Sequence, residues 1–322
     1  MRVTFGSWVF GLLNATALSS SPSESANINT RQLIELPNVW IENVVLRSNG
    51  NLLLTTFGNG DIYSVDPSIP EAHVVAKVKD IDALTGIAEI ERDLFVVSGG
   101  IYDGGTYFED GSMKILLVDF RECGESHHGS PSVYPILEGK DAGVINGMTS
   151  LPDHQHIVVG AASWTGEIWR INTKTRTSEV ILRDDLLGTT PSGPYPLGVN
   201  GLKISKGYLY FTNTGRQLFG RFKIDGYGNK VGDIEVVWRA PAGTKIAPDD
   251  FSLDQDGNAF VGCFPDLLVK INPDGEQTVL INGTLAGATS TAFSKDGRSL
   301  FVVTTGKGME GVTGGQLVQV DL

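Results

Sequence analysis

The residues of this chain best suited to chemistry are Glu42, Asn146, Asn200 and Asp249, two carboxylates and two amides that each open a short apolar run. Carboxylate and side-chain carbonyl oxygens form a hard-oxygen set of the kind that takes calcium or another divalent ion, with water filling the remaining positions. The same residues also read as ordinary strand-initial or turn residues, because Asn-Gly and Asp-Asp are common where a chain changes direction. Thr85 and Thr289 open two further runs of the same character, so six starters stack into one column.

A column of this kind must be built by a repeat. Glycine turns such as Asn49-Gly50-Asn51, Asp256-Gly257-Asn258 and Asp296-Gly297-Arg298 follow three of the starters, and each leads into a second apolar strand. Successive starters lie 43, 61, 54, 49 and 40 residues apart, in or just above the period of a four-stranded propeller blade. The spacing predicts an all-β, six-bladed β-propeller over residues 31–322. In a propeller the first strand of each blade lines the central channel, which gathers the column into a ring at one mouth. Three strands follow Thr289 before the chain ends, so a fourth is expected from Gln32-Leu33-Ile34-Glu35-Leu36, tying the termini together.

With 322 residues, 41% apolar and 19% charged, the chain can bury a sizeable core, and its 40 glycines favour a turn-rich β protein. A net charge of −12 argues against a nucleic-acid partner, which needs a basic face; small molecules are the expected partners. Arg2, the apolar stretch Phe5–Leu13 and Ala15-Thr16-Ala17 read as a secretory signal peptide over 1–17, followed by a polar linker over 18–30. A packed or irregular N-terminal arm is the competing reading. Secretion or passage through the secretory pathway is expected, with no membrane span. Asn282-Gly283-Thr284 is then a glycan acceptor at Asn282. Cys123 and Cys263 are the two cysteines, and an unpaired, buried Cys263 is favoured.

The run Trp40-Ile41-Glu42, the openings Asn146-Gly147 and Asn200-Gly201-Leu202, and Pro248-Asp249-Asp250 with Asp256-Gly257-Asn258 resemble the senescence marker protein/gluconolactonase superfamily. That resemblance implies a six-bladed propeller in which Glu42, Asn146, Asn200 and Asp249 bind a divalent metal and Asp249 serves as general base in lactone hydrolysis. Three openings depart from the family pattern: Glu42-Asn43-Val44, Asn146-Gly147-Met148, and Asp250 in place of a usual glycine. A narrower resemblance, to secreted fungal-type propellers, rests on Glu42–Gly50 and Ala292–Gly297. It implies a hetero-Diels-Alderase that joins a tropolone-derived o-quinone methide to a humulene-type terpene.

Such a pericyclase needs no cofactor. It must hold two reactants together, exclude water and hydrogen-bond a carbonyl, and proximity supplies most of the acceleration. Asp249, Asn200 and Asn146 are the candidate catalytic groups at the ring. Tyr107 in the glycine-hinged loop Tyr102–Phe108, Trp164, and Tyr195 in Pro191–Leu197 are the candidate substrate-binding aromatics; loop or core packing is the competing role for each. A metal-dependent lactonase is the alternative activity, and a noncatalytic small-molecule or protein-binding propeller the second. His127 and His128 lack a metal-ligand partner, no Gly-x-Ser-x-Gly elbow is present, and Thr305-Gly306-Lys307-Gly308 lacks the spacing of a phosphate loop.

Overall fold

The computed structural model describes residues 28–104, 108–123, 129–138 and 145–322. The expected signal peptide, nearly all of the linker, Tyr107, His127 and His128 lie outside them. Twenty-four strands run from β1 (Thr30–Pro37) to β24 (Gly314–Asp321), and the only helical element among the described residues is a 3-10 turn at Arg121–Cys123. This is an all-β propeller of four-stranded antiparallel blades.

Residues 145–183, 199–239 and 247–282 each form a separate four-stranded sheet, and a fourth joins β1, β24, residues 299–304 and β22 (Ala288–Phe293). Residues 40–138 differ from the expected separate blades by making one continuous eight-stranded sheet. Its two halves meet through a single residue pair, Phe57 of β3 (Leu52–Phe57) with Ala83 of β6 (Ala83–Glu91). That contact is possible because the aromatic end of β3 reaches the start of the next inner strand.

The strands that bear the six starters are β2 (Trp40–Leu46), β6, β10 (Ile145–Leu151), β14 (Val199–Ser205), β18 (Ala247–Leu253) and β22. Each contacts the next in chain order, and β22 contacts β2. Apolar clusters fill the gaps between neighbouring sheets, for example Leu151, Val159, Leu202 and Phe211 in one gap and Phe251, Val261, Phe219 and Trp238 in the next. Burial of this kind is the main stabilising contribution.

β1 pairs antiparallel with β24 from Thr30↔Val320 to Pro37↔Gly314. The strand starts at Thr30, the last residue of the expected linker. Its simple alternation is broken by a register shift between Gln32 and Ile34, which lets Leu33 and Ile34 both turn inward.

Candidate functional site

Every starter falls inside a register shift of its inner strand. The irregularities lie between Ile41 and Asn43, Leu84 and Ile87, Ile145 and Met148, Val199 and Leu202, Pro248 and Phe251, and Ala288 and Ser290. Glu42, Thr85, Asn146, Asn200, Asp249 and Thr289 are therefore bulge residues near the start of their strands. A bulge leaves its extra residue outside the ladder and re-aims the side chain, and here it does so six times around one ring.

Asn-Gly at two openings serves the approach of neighbouring strands and not a turn. A Cβ on Gly86 would collide with the backbone oxygen of Asn146, one on Gly147 with that of Asn200, and one on Gly201 with Asp250. β10, β14 and β18 thus each rest on a glycine of the inner strand before them.

Hydroxyls complete the scaffold. Thr85 donates to the Ile145 carbonyl at 2.7 Å, Thr289 to the Ile41 carbonyl at 2.9 Å and Thr214 to the Pro248 carbonyl at 2.9 Å. Those carbonyls immediately precede Asn146, Glu42 and Asp249. The two threonines of the column, which carry no ligand-like group, hold the backbone at two members that do.

Glu42 is buried, and Asn146 Nδ2 donates to its Oε1 at 3.0 Å. Asn200 Nδ2 donates to Thr214 Oγ1 at 2.9 Å. Three acceptors remain buried without a hydrogen-bond partner: Glu42 Oε2, Asn146 Oδ1 and Asn200 Oδ1. Burial, reinforced by the Asp250 charge and opposed by the Asn146 amide, pushes the Glu42 carboxyl up to about 7. Burial, then the Glu42 and Asp250 charges, raise Asp249 well above the usual carboxylate range, against a hydrogen bond from Asn200. Asp249 keeps part of its surface accessible, whereas Asp250 is buried and paired with Lys203 Nζ at 2.6 Å. Burial and then Asp249 push the Cys263 thiol up, so this free cysteine is a protonated wall residue.

Beside the carboxylates stands a continuous aromatic wall. Trp40 packs on Phe57 with ring centroids 4.7 Å apart, Phe57 lies 5.2 Å from Tyr102 and 5.7 Å from Phe108, and Phe108 lies 5.7 Å from Trp164. Trp40 lies two residues before Glu42 on β2, which sets this wall beside the ring, and burial, then the Asp103 and Glu42 charges, raise the Tyr102 phenol. Tyr195 meets Phe264 edge-on at 5.5 Å as a separate pair. Its loop is fastened at its end by Gly215 N, which donates to the Leu197 carbonyl at 2.8 Å. Trp164 thus joins the wall, Tyr195 stands apart from it, and Asn282 is exposed at a strand end.

Sequence reasoning overlooked Trp40, Phe57, Phe108 and Phe264. Trp40 was accessible to it as the aromatic residue that opens the strand bearing Glu42. No cluster of three or more His, Cys, Asp or Glu side chains fit for a metal occurs among the described residues, so any cation at the ring depends on the two amide oxygens.

Fold and site together define a β-propeller with a polar ring and an aromatic wall at one end of its inner strands. The chain is similar to two curated proteins. The chain is 27% identical over 337 residues to "Putative hetero-Diels-Alderase asR5" of Sarocladium schorii, covering 89% of this chain and 81% of that one. It is also 27% identical over 321 residues to a "Putative hetero-Diels-Alderase" of a Phoma species, covering 89% of each. No family model matches. Among solved structures, a luciferin-regenerating enzyme superposes with a TM-score of 0.67 at 13% identity, over 92% of this chain and 96% of that one. The calcium-binding protein regucalcin of Agrobacterium tumefaciens gives 0.67 at 14% identity, over 91% and 95%. A gluconolactonase of Xanthomonas campestris gives 0.63 at 16% identity, over 92% and 90%. These structures share the fold.

Proposed function

We propose that this protein is a hetero-Diels-Alderase of small-molecule biosynthesis, acting on a conjugated o-quinone methide and the alkene of a humulene-type terpene. The carrying observation is the aromatic wall Trp40–Phe57–Tyr102–Phe108–Trp164 beside the ring. Similarity to two proteins of that name over 89% of the chain supports it. In the reaction the diene oxygen and exocyclic carbon each form one σ bond to an alkene carbon while the π electrons shift, and no atom is lost. Such a step needs no acid or base; an apolar wall that aligns the two π systems and excludes water accelerates it by proximity. Asn146, Asn200 and Asp249 are the polar groups of the adjoining ring.

The architecture is read as six blades closed by β1. Support comes from the cyclic contacts of the six inner strands, the single pair joining the two halves of the eight-stranded sheet, and the β1–β24 pairing. Passage through the secretory pathway, with glycosylation at the exposed Asn282, belongs to the same reading.

The test is turnover. Purified protein supplied with humulene and an o-quinone methide released in situ should give one stereoisomer above the spontaneous mixture. Trp164→Ala or Tyr195→Ala should erode that selectivity while the thermal melt stays cooperative; wild-type selectivity in both sinks the assignment of these side chains. Equal product mixtures with and without protein sink the reaction.

A second reading, a divalent-metal lactonase, is favoured by the three unpartnered acceptors. Glu42 Oε2, Asn146 Oδ1 and Asn200 Oδ1 are all oxygens with no donor to meet them, and orphaned buried acceptors call for a missing partner. Together with Asp249 they fit a hard cation such as calcium, which would supply Lewis acidity toward a lactone carbonyl. Asp249 would take the proton from the attacking water on this reading. Chelation and Asp249→Ala abolish turnover on this reading and spare cycloaddition on the first. A noncatalytic binding propeller would give neither product.

A further inference from the structure

The glycine-flanked lysine of Thr305-Gly306-Lys307-Gly308 has no phosphate-loop geometry, yet its position is built with care. Thr305 N donates to the Gly287 carbonyl and Gly306 N to the Ala286 carbonyl, both at 2.8 Å, which fastens the stem of the loop to the neighbouring turn. Gly306 has φ 77° and packs against the Gly314 backbone where a Cβ would collide. Lys307 N donates to Thr305 Oγ1 at 3.0 Å. From this fixed backbone the Lys307 ammonium reaches over Trp40, with Nζ 4.5 Å from the ring centroid.

That placement is unusual for its surroundings. The chain carries a net charge of −12, but among the described residues no carboxylate pairs with Lys307. The side chain is exposed, so only a cation–π contact holds it at the wall. The adjoining ring offers acceptors and acids: Glu42, Asp249 and the free oxygens of Asn146 and Asn200. Those groups repel an anionic oxygen. An incoming oxygen can engage Lys307 without breaking an ion pair, and a flat ring attached to it can lie against the aromatic wall.

We propose that Lys307 is a specificity-determining residue that anchors the ionised or strongly polarised oxygen of a planar conjugated ring bound beside Trp40. The proposal rests on reading this end of the propeller as the substrate site. It fixes the orientation of the ring, oxygen toward the Lys307 loop, and so selects which face is open to a second reactant.

The experiment compares tropolone, at a pH where it is ionised, with its O-methyl ether, which has the same ring and no charge. Calorimetric titration of wild type, Lys307→Met and Lys307→Arg gives the preference of each for the charged ring. Wild type should prefer tropolonate by about tenfold or more, the scale of a charge-assisted hydrogen bond. Lys307→Met should lower that preference to about twofold or less with methyl-ether affinity nearly unchanged, and Lys307→Arg should restore most of it. Thermal melts of all three establish that each is folded. An undiminished preference in Lys307→Met, or none in wild type, overturns the anchoring role. A Lys307-dependent preference in a protein that makes no cycloadduct above background supports the anchor and defeats the reaction instead.

Discussion

Asn146 donates its amide hydrogen to Glu42 Oε1 at 3.0 Å, linking side chains 104 residues apart. The bond spends the one group of Asn146 that could satisfy Glu42 and turns the remaining oxygen of each away from any partner. A buried carboxylate with only neutral donors beside it, the Asn146 amide and the Trp40 indole, and with Asp250 nearby is costly to ionise, which pushes it up to about 7.

The first prediction follows from the sign of that shift. A Glu42 that titrates near 4.5 when unfolded and near 7 when folded binds more protons in the native state across that interval. Its contribution to stability is therefore greatest at and below about pH 4.5, declines as pH rises, and levels off above about 7. The full decline is roughly 3 kcal/mol, shared with Asp249 because the two carboxyls titrate as a pair. Denaturant unfolding from pH 4.5 to 8 with chelator present should show Glu42→Gln gaining on wild type as pH rises. A stability difference that is flat with pH would contradict the shift.

The column of starters was legible because every blade repeats the same backbone event, an inner-strand bulge, and small polar residues mark it each time. Types alone could not separate ring groups from braces, since Thr85 and Thr289 share the bulge geometry of Glu42 and Asn146 but direct their hydroxyls to the neighbouring strand. The aromatic wall was only half legible. Trp40 opens the strand that bears Glu42 and can be read from the sequence, but the meeting of Phe57, Phe108 and Trp164 depends on how segments far apart in the chain fold over one another. The fusion at Phe57 and Ala83 and the bulge in β1 depend on local register, which alternation does not encode.

Gly147 provides the second prediction. Its Cα lies so close to Asn200 and Gly201 that a methyl group meets their backbone atoms, which cannot rotate away. Gly147→Ala should cost about 3 kcal/mol or more, at the upper end of overpacking effects, and be read as a lowered unfolding midpoint. Gly50→Ala is the comparison: φ is 94° with open space around the position, so only the modest strain of a left-handed alanine applies. Equal losses would mean that close packing of inner strands is not the constraint.

Removal of residues 31–37 tests the role of β1. That segment supplies the outer partner of β24 and buries Leu33, Ile34 and Leu36 in the cluster shared with Ile41 and Leu317. The truncated protein should lose its cooperative thermal transition, because a sheet edge and an apolar face are exposed together. A melt that stays cooperative near the wild-type midpoint would show that β1 is dispensable.

Thr214 joins two members of the ring through one oxygen: it accepts from Asn200 Nδ2 at 2.9 Å and donates to the Pro248 carbonyl at 2.9 Å. Valine has the same shape but strands both the amide donor and the carbonyl in a buried place, so Thr214→Val should destabilise by about 1–3 kcal/mol. Serine keeps the hydroxyl and loses only a methyl group, so Thr214→Ser should stay within about 1 kcal/mol of wild type. Calcium titration followed by thermal melting then separates scaffold from site. If Asn200 is a ligand, the calcium-induced rise in midpoint should shrink in Thr214→Val, whose Asn200 amide is no longer tethered, and persist in Thr214→Ser. Equal destabilisation by valine and serine would mean that losing the hydroxyl costs no more than losing the methyl group, and would remove Thr214 from the network that aims Asn200.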